Sequence, residues 1–236
     1  YAANDVAILP ELHAKAGRVM LESDLMHVWQ LECRALPAIV QMKVHGMKLD
    51  VPYYKQLLEE ESKFREDKKM EVIRFMEKAG ALEQYRCPLT KLLLVHPQYS
   101  GKGKGKTTGF NLASPTQLGP VLVAMGVPLQ AKTSEKTGKT SYSCDKNVLA
   151  FHLADHKILG LYTEYKKSAT RTQMVDKLIK LAEAAPDGRI HADYNQIVRS
   201  GRMSSRDPNQ QNIPKEKRYR KGFISEANRV FIRADY

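Results

Sequence analysis

The sequence predicts an α+β protein, with helices over most of its length and short strands gathered towards its C-terminal end. Three observations carry this. Residues 24–45 set Leu25, Val28, Leu31, Leu36, Ile39 and Val40 near one-turn spacing, and 155–184 form a second long amphipathic pattern. Residues 51–78 carry Glu and Lys at one-turn spacing, as a helix exposed on one side does. From Arg189 the period shortens to alternation. Helices first and strands last argue for a helical domain that leads into one containing a sheet.

Taken in order, residues 1–21 read as a helix that Pro10 can bend. The helix over 24–45 closes at Gly46, a residue suited to a C-cap. Residues 47–50 are short and extended. Asp50 caps the next helix, with Pro52 in its first turn and Gly80 just past its end. Residues 86–113 read as a basic loop around GKGKGK at 101–106. Ser114 and Pro115 open a short helix that stops at Gly126. The mixture of Thr, Ser, Lys and Gly over 127–144 reads as a flexible loop. Asp145 starts another helical stretch, and the long helix over 155–184 ends near Pro186 and Gly188. Arg189–Ile197, Phe223–Ile224 and 229–234 read as three strands. No internal repeat is present.

The bulk numbers narrow the function. A chain of 236 residues can bury a sizeable core, and 42% hydrophobic with 27% charged residues is ordinary for a globular protein. The formal charge of +12 is not ordinary, and it points to a polyanionic partner, most simply nucleic acid. Cys33, Cys87 and Cys144 lie far apart with no CxxC spacing, which argues against a disulfide framework or structural zinc and fits a reducing compartment. No apolar run approaches the roughly 20 residues needed to cross a bilayer, so no membrane partner is expected.

Residues 200–214 (SGRMSSRDPNQQNIP) interleave Arg202 and Arg206 with Ser, Asn and Gln. Such side chains suit nucleic-acid backbones and base edges, where they make paired hydrogen bonds. Residues 231–236 (FIRADY) form an apolar strand that delivers Asp235 at its end. A strand-borne carboxylate beside a nucleic-acid-binding loop is what metal-dependent phosphoryl transfer needs. Together the two stretches resemble the palm of family A, polymerase-I-like DNA polymerases, in which TGRLSSxxPNLQNIP precedes a strand ending in DYSQIE. Residues 1–5 (YAAND) resemble the YxxxD motif of that family's 3′–5′ exonuclease domain, which makes Tyr1 and Asp5 its remnant here. The order of exonuclease remnant, thumb and palm is the family's own. It divides the chain into 1–21, a thumb with flanking helices over 22–185, and the N-terminal part of a palm over 186–236. The chain starts and stops inside motifs and so reads as a fragment.

Outside the palm the signals are electrostatic. Gly105, Lys106 and Thr107 end like a P-loop, but Ser100 stands where its first glycine belongs, and no buried strand precedes it. Lys102, Lys104 and Lys106 on glycine hinges can instead follow a phosphate backbone, or simply be solvated. Residues 110–118 (FNLASPTQL) resemble the thumb-tip FNxxSxxQL element. There the helix start at Ser114 offers free N–H groups to a phosphate, with Asn111 and Thr116 adding hydrogen bonds. Lys166, Lys167 and Arg171 sit close together on the helix that in the family runs beside the duplex.

For the palm loop, the resemblance implies that Arg202 reaches the minor groove at the primer end, where acceptors recur for every base pair. It implies that Ser204, Ser205, Asn209, Gln211 and Asn212 hold primer and template, and that Gln196 is a further minor-groove contact. His191 is left as a structural residue. The spacer 214–223 is shorter than usual, and which of Lys215, Lys217 or Arg218 meets the triphosphate stays open. Gln210 replaces the usual leucine.

The resemblance also implies Mg²⁺ as cofactor. Asp235 would bridge two ions and the carbonyl of Tyr236 would complete one shell, which is only a partial site for a metal that prefers oxygen ligands. The second carboxylate and the nucleotide-binding helix come later in the family. The expectation is therefore a part of a DNA-directed DNA polymerase that binds primer-template DNA and is inactive alone. Deoxynucleoside triphosphates and the remaining fingers and palm segment would be its partners, in the cytoplasm of a bacterial or phage-infected cell. A non-enzymatic duplex-binding module and a natural half of a split polymerase are the competing readings.

Overall fold

The computed structural model describes residues 2–87, 89–93, 109–133, 138 and 140–232. The described residues form an α+β protein whose small sheets are all antiparallel pairs. Two compact units divide it. One holds Tyr1–Lys55 and Asp176–Tyr236, the other Gln56–Val175.

The first unit opens with α1 (Ala2–Ala7) and α2 (Leu9–Glu22). The chain breaks at Ile8 rather than bending at Pro10, because Pro10 occupies the first turn of α2, where its missing N–H costs nothing. Helix α3 (Met26–His45) ends as expected at Gly46, whose N–H bonds Met42 O at a φ of 58°. Neither α2 nor α3 buries a residue. Strand β1 (Met47–Lys48) then leads to α4 (Val51–Lys78), capped by Asp50 Oδ1, which accepts from Tyr53 N at 3.0 Å.

The C-terminal part of this unit folds back on that cap. Tyr54 and Tyr219 are fully buried, and the Tyr54 hydroxyl donates to Tyr219 O. Phe223 meets the Tyr54 ring edge-on, with centroids 5.9 Å apart. Asp50 N donates to Gly222 O at 2.8 Å and Ile224 N to Lys48 O at 3.1 Å. Burial of large aromatic side chains is worth about 1.5–3 kcal/mol each, so this cluster anchors the segment. Gly222 is required here, since a Cβ would come within 2.2 Å of the Tyr54 ring.

The alternating stretch does not make one strand. It divides into β4 (Arg189–Ile190), paired with β1, and β5 (Asp193–Asn195), paired with β6 (Ser204–Arg206). His191 lies at the division, its ring bonded to Lys43 O and Asp187. Phe223 contributes only a single bridge to Leu49, and 229–232 form no strand. A short helix, α8 (Lys217–Arg220), fills part of the spacer that the sequence left unassigned.

The second unit has its own core. Val72, Ile73 and Met76 of α4 pack with Phe110, with Leu118, Val121 and Leu122 of α5 (Pro115–Ala124), and with Leu159, Tyr162 and Tyr165 of α7 (Lys157–Ala184). Helix α6 (Lys146–Phe151) adds Leu149. The expected loop over 127–144 contains a hairpin instead, β2 (Ala131–Thr133) with β3 (Thr140–Tyr142). It is held by packing rather than by pattern. Gly119 of α5 sits so close to Tyr142 that a Cβ would lie 2.7 Å from the tyrosine Cβ. Buried Thr172 of α7 donates to Glu61 O of α4 at 3.3 Å.

Candidate nucleic-acid interface

In the first unit the polar loop 200–214 is built from the β5–β6 pair outward. Its register sets Tyr194 opposite Ser205 and Asn195 opposite Ser204. Gly201, at a φ of 68°, allows the tight return between them. Ser205 is buried, and its hydroxyl donates to Pro208 O at 3.1 Å while accepting from Gln210 N at 3.2 Å. Tyr194 donates its phenol proton to Gln210 Oε1 at 2.7 Å. Asn209 Oδ1 caps the turn over 210–212 by accepting from Gln211 N, and Gln211 Nε2 donates to Met203 O at 2.8 Å. A loop rich in polar groups is thus tied to itself and presents a fixed face.

Within this loop Arg202, Asn209, Gln211 and Asn212 are exposed and Ser204 is half-buried. Ser205 points inward and braces the loop. Gln196 is engaged elsewhere, since its amide nitrogen donates to the Glu32 main-chain oxygen at 3.1 Å and to its carboxylate at 2.6 Å. The glutamine at 210 takes a leucine's place as a half-buried brace, with its Nε2 buried and unpaired.

Acids near these strands are held by cations. Lys43 beside Asp193 keeps that carboxyl below its usual range, with Arg206 adding to the effect. Lys48 and then Arg189 do the same to Glu226. His191 lowers Asp187, while its own pKa is raised first by its bond to Lys43 O and then by Asp187. Each of these pairings neutralises an anion that would repel a phosphate. In the spacer, Arg218 donates to the Tyr219 hydroxyl at 2.9 Å and Arg220 to Pro214 O at 3.2 Å. Lys215 and Lys217 are exposed.

In the second unit, Asn111 Oδ1 accepts from Ala113 N at 2.9 Å, and Gln117 Oε1 accepts from Asn111 N at 2.5 Å. This closes the turn into α5. Ser114 takes the N-cap position without capping through its side chain, and its hydroxyl pairs with Thr116 Oγ1 at 2.9 Å. Lys166 and Lys167 are exposed on α7, and Arg171 is half-buried. Cys144 lines a cleft with these three cations, and its thiol approaches Pro115 O at 3.9 Å. Lys146 of α6 joins the same cleft. Nothing in the sequence pattern marked it, because only the packing of α6 against α7 brings it there.

Tyr1, Lys102, Lys104, Lys106, Asp235 and Tyr236 lie outside the described residues, and Asp5 stands in α1. Among the described residues no group of three or more His, Cys, Asp or Glu could hold a metal. No helix among them is long and apolar enough to cross a membrane.

A helical unit with a cationic cleft, together with a braced polar loop on short antiparallel strands, is the geometry to set beside known proteins. The model of DNA polymerase family A matches residues 99–236, and the chain belongs to that family. It is 39% identical over 133 residues to DNA polymerase I of Synechocystis sp., covering 54% of this chain and 13% of that protein. Identity to the thermostable DNA polymerase I of Thermus aquaticus is 32% over 228 residues, covering 93% of this chain and 23% of the relative. For the Thermus thermophilus enzyme it is 31% over 245 residues, covering 99% and 25%. Among solved structures, the POL domain of Pol1 from M. smegmatis, in complex with DNA primer-template and dNTP, matches with a TM-score of 0.53 and 26% identity. That match covers 82% of this chain and 29% of the other. The matched stretches thus span between 13% and 29% of the length of these polymerases.

Proposed function

We propose that this chain is the part of a DNA-directed DNA polymerase that grips primer-template DNA, with a thumb over 22–185 and the first strands of a palm over 186–236. The observation that carries the reading is the braced loop. Exposed Arg202 stands beside a hairpin fixed by Ser205, Tyr194 and Gln211, so a guanidinium is offered outward from a rigid support. A donor so placed can test acceptors common to all base pairs in the minor groove without reading sequence. Asn209, Gln211, Asn212 and Ser204 would hold the strands beside it.

On the second unit, the start of α5 and the cations Lys166, Lys167 and Arg171 would follow the duplex backbone, with Lys102, Lys104 and Lys106 adding sequence-independent attraction. Gln196 would join the groove contacts only by giving up its bonds to Glu32.

Magnesium is proposed on sequence alone, with Asp235 and the carbonyl of Tyr236 as ligands. When bound, the ions would stabilise the attacking and leaving oxygens of nucleotidyl transfer. Incoming deoxynucleoside triphosphates and further fingers and palm residues would complete the enzyme.

The test is primer extension with Mg²⁺ and nucleotides, using this chain alone and mixed with a polypeptide carrying the later palm and fingers motifs. Extension only in the mixture, lost with Asp235→Ala, supports the reading. Salt-sensitive duplex binding without extension in either case would favour a binding module instead.

A further inference from the structure

The cleft between α6 and α7 has features that gripping a DNA backbone does not use. It encloses about 620 Å³, within the range of sites that bury an organic ligand. Leu149, Ala150 and Leu153 line one side and the α7 stripe from Tyr162 to Arg171 lines the other. That stripe is about 13 Å long at the rise of an α-helix, so the cleft is a groove rather than a round pocket. Cations stand on both walls, Lys146 on one and Lys166, Lys167 and Arg171 on the other, and among the described residues no Asp or Glu lines it.

We propose that this groove docks a short acidic segment with apolar side chains, carried by a partner protein. Charge complementarity sets the sign of the occupant, and the floor sets its chemistry. A phosphate backbone would satisfy the cations but leave the aliphatic floor unused. A stacked base needs an aromatic face, and Tyr162, the aromatic residue lining the groove, is only 5% exposed. Leucine-like side chains laid on the exposed Ala150 and Leu153, with carboxylates turned to both walls, use both features. An amphipathic helix or extended segment presents such anchors at regular intervals. The inference rests on the groove alone, and it stands whether or not the chain is completed as a polymerase.

The test uses a fluorescein-labelled nine-residue peptide with Leu at positions 2, 5, 6 and 9 and Glu elsewhere, titrated by anisotropy. A control peptide carries Ser in place of each Leu, and a labelled DNA duplex is titrated in parallel. The Leu peptide is expected to bind at least tenfold more tightly than the Ser peptide. Leu153→Asn and Ala150→Asn change exposed positions without adding charge and should each lose at least tenfold for the Leu peptide, with circular dichroism and duplex binding unchanged. Equal binding of the two peptides would reduce the interaction to charge and overturn the proposal. So would wild-type affinity in both variants. Loss of duplex binding with Leu153→Asn would assign the groove to DNA, whereas failure of wild-type protein to bind the duplex would count against the nucleic-acid reading alone.

Discussion

The phenol of Tyr194 on β5 donates to the side-chain oxygen of Gln210, in the turn that follows β6, at 2.7 Å. This one bond ties β5 to the 210–212 turn on the far side of β6. Burial pushes the Tyr194 hydroxyl above its ordinary pKa, so it stays a donor throughout the neutral range. Tyr194→Phe keeps the ring and removes the bond. An intramolecular hydrogen bond is worth about 0.5–1.5 kcal/mol net, and urea denaturation should show a loss of that size. Duplex affinity should fall by a few-fold as the loop loosens. Unchanged affinity would mean that the brace does not serve the DNA face.

Arg202→Ala should act in the opposite way. Its side chain is exposed, so stability should hold while primer-template affinity drops. Lys166→Ala and Lys167→Ala should instead flatten the salt dependence of duplex binding, by about 0.9 in the log–log slope for each phosphate contact removed. Fluorescence titrations between low and moderate salt separate the two behaviours.

Gly222→Ala should destabilise the first unit. Its new methyl would lie 2.2 Å from the Tyr54 ring, which is buried and held by its bond to Tyr219. Overpacking of this kind costs about 1–3 kcal/mol. Thermal unfolding followed by far-ultraviolet circular dichroism would register the loss, and an unchanged midpoint would refute the close approach.

The pair formed by His191 and Asp187 makes stability depend on pH at both ends. The folded His191 pKa lies above its usual 6.5, so its contribution is complete below that value and is lost as pH rises through the folded pKa. The Asp187 pKa lies below its usual 3.8, so its contribution is present above that value and is lost as pH falls further. Denaturation midpoints should therefore decline from pH 6 towards pH 8 in the native protein. His191→Gln should flatten that decline.

Much of the architecture was legible because it depends on local signals. Asp50 capping α4, Gly46 closing α3 and the long helix before Gly188 all follow from single residues whose preferences act within one turn. The misread stretches depend on distant partners. The β2–β3 hairpin has no apolar alternation, and it is the close packing of Gly119 on Tyr142 that fixes its place. The alternation over 189–197 was real, yet its two halves pair with different strands, which no period can report. At the candidate site, residue types named the surface but not the direction each faces. Arg202, Asn209, Gln211 and Asn212 are exposed, whereas Ser205 turns in and Gln196 is held by Glu32. Lys146 could not be read at all, because its place in the same cleft as Lys166 is made by packing.

The register of the β5–β6 pair carries one more implication. Successive strand residues point to opposite faces, so a one-residue slip of β6 against β5 would turn Ser205 outward and leave Gln210 N without its acceptor. What the brace demands is the pairing of Tyr194 with Ser205, whatever the spelling of the return between the strands.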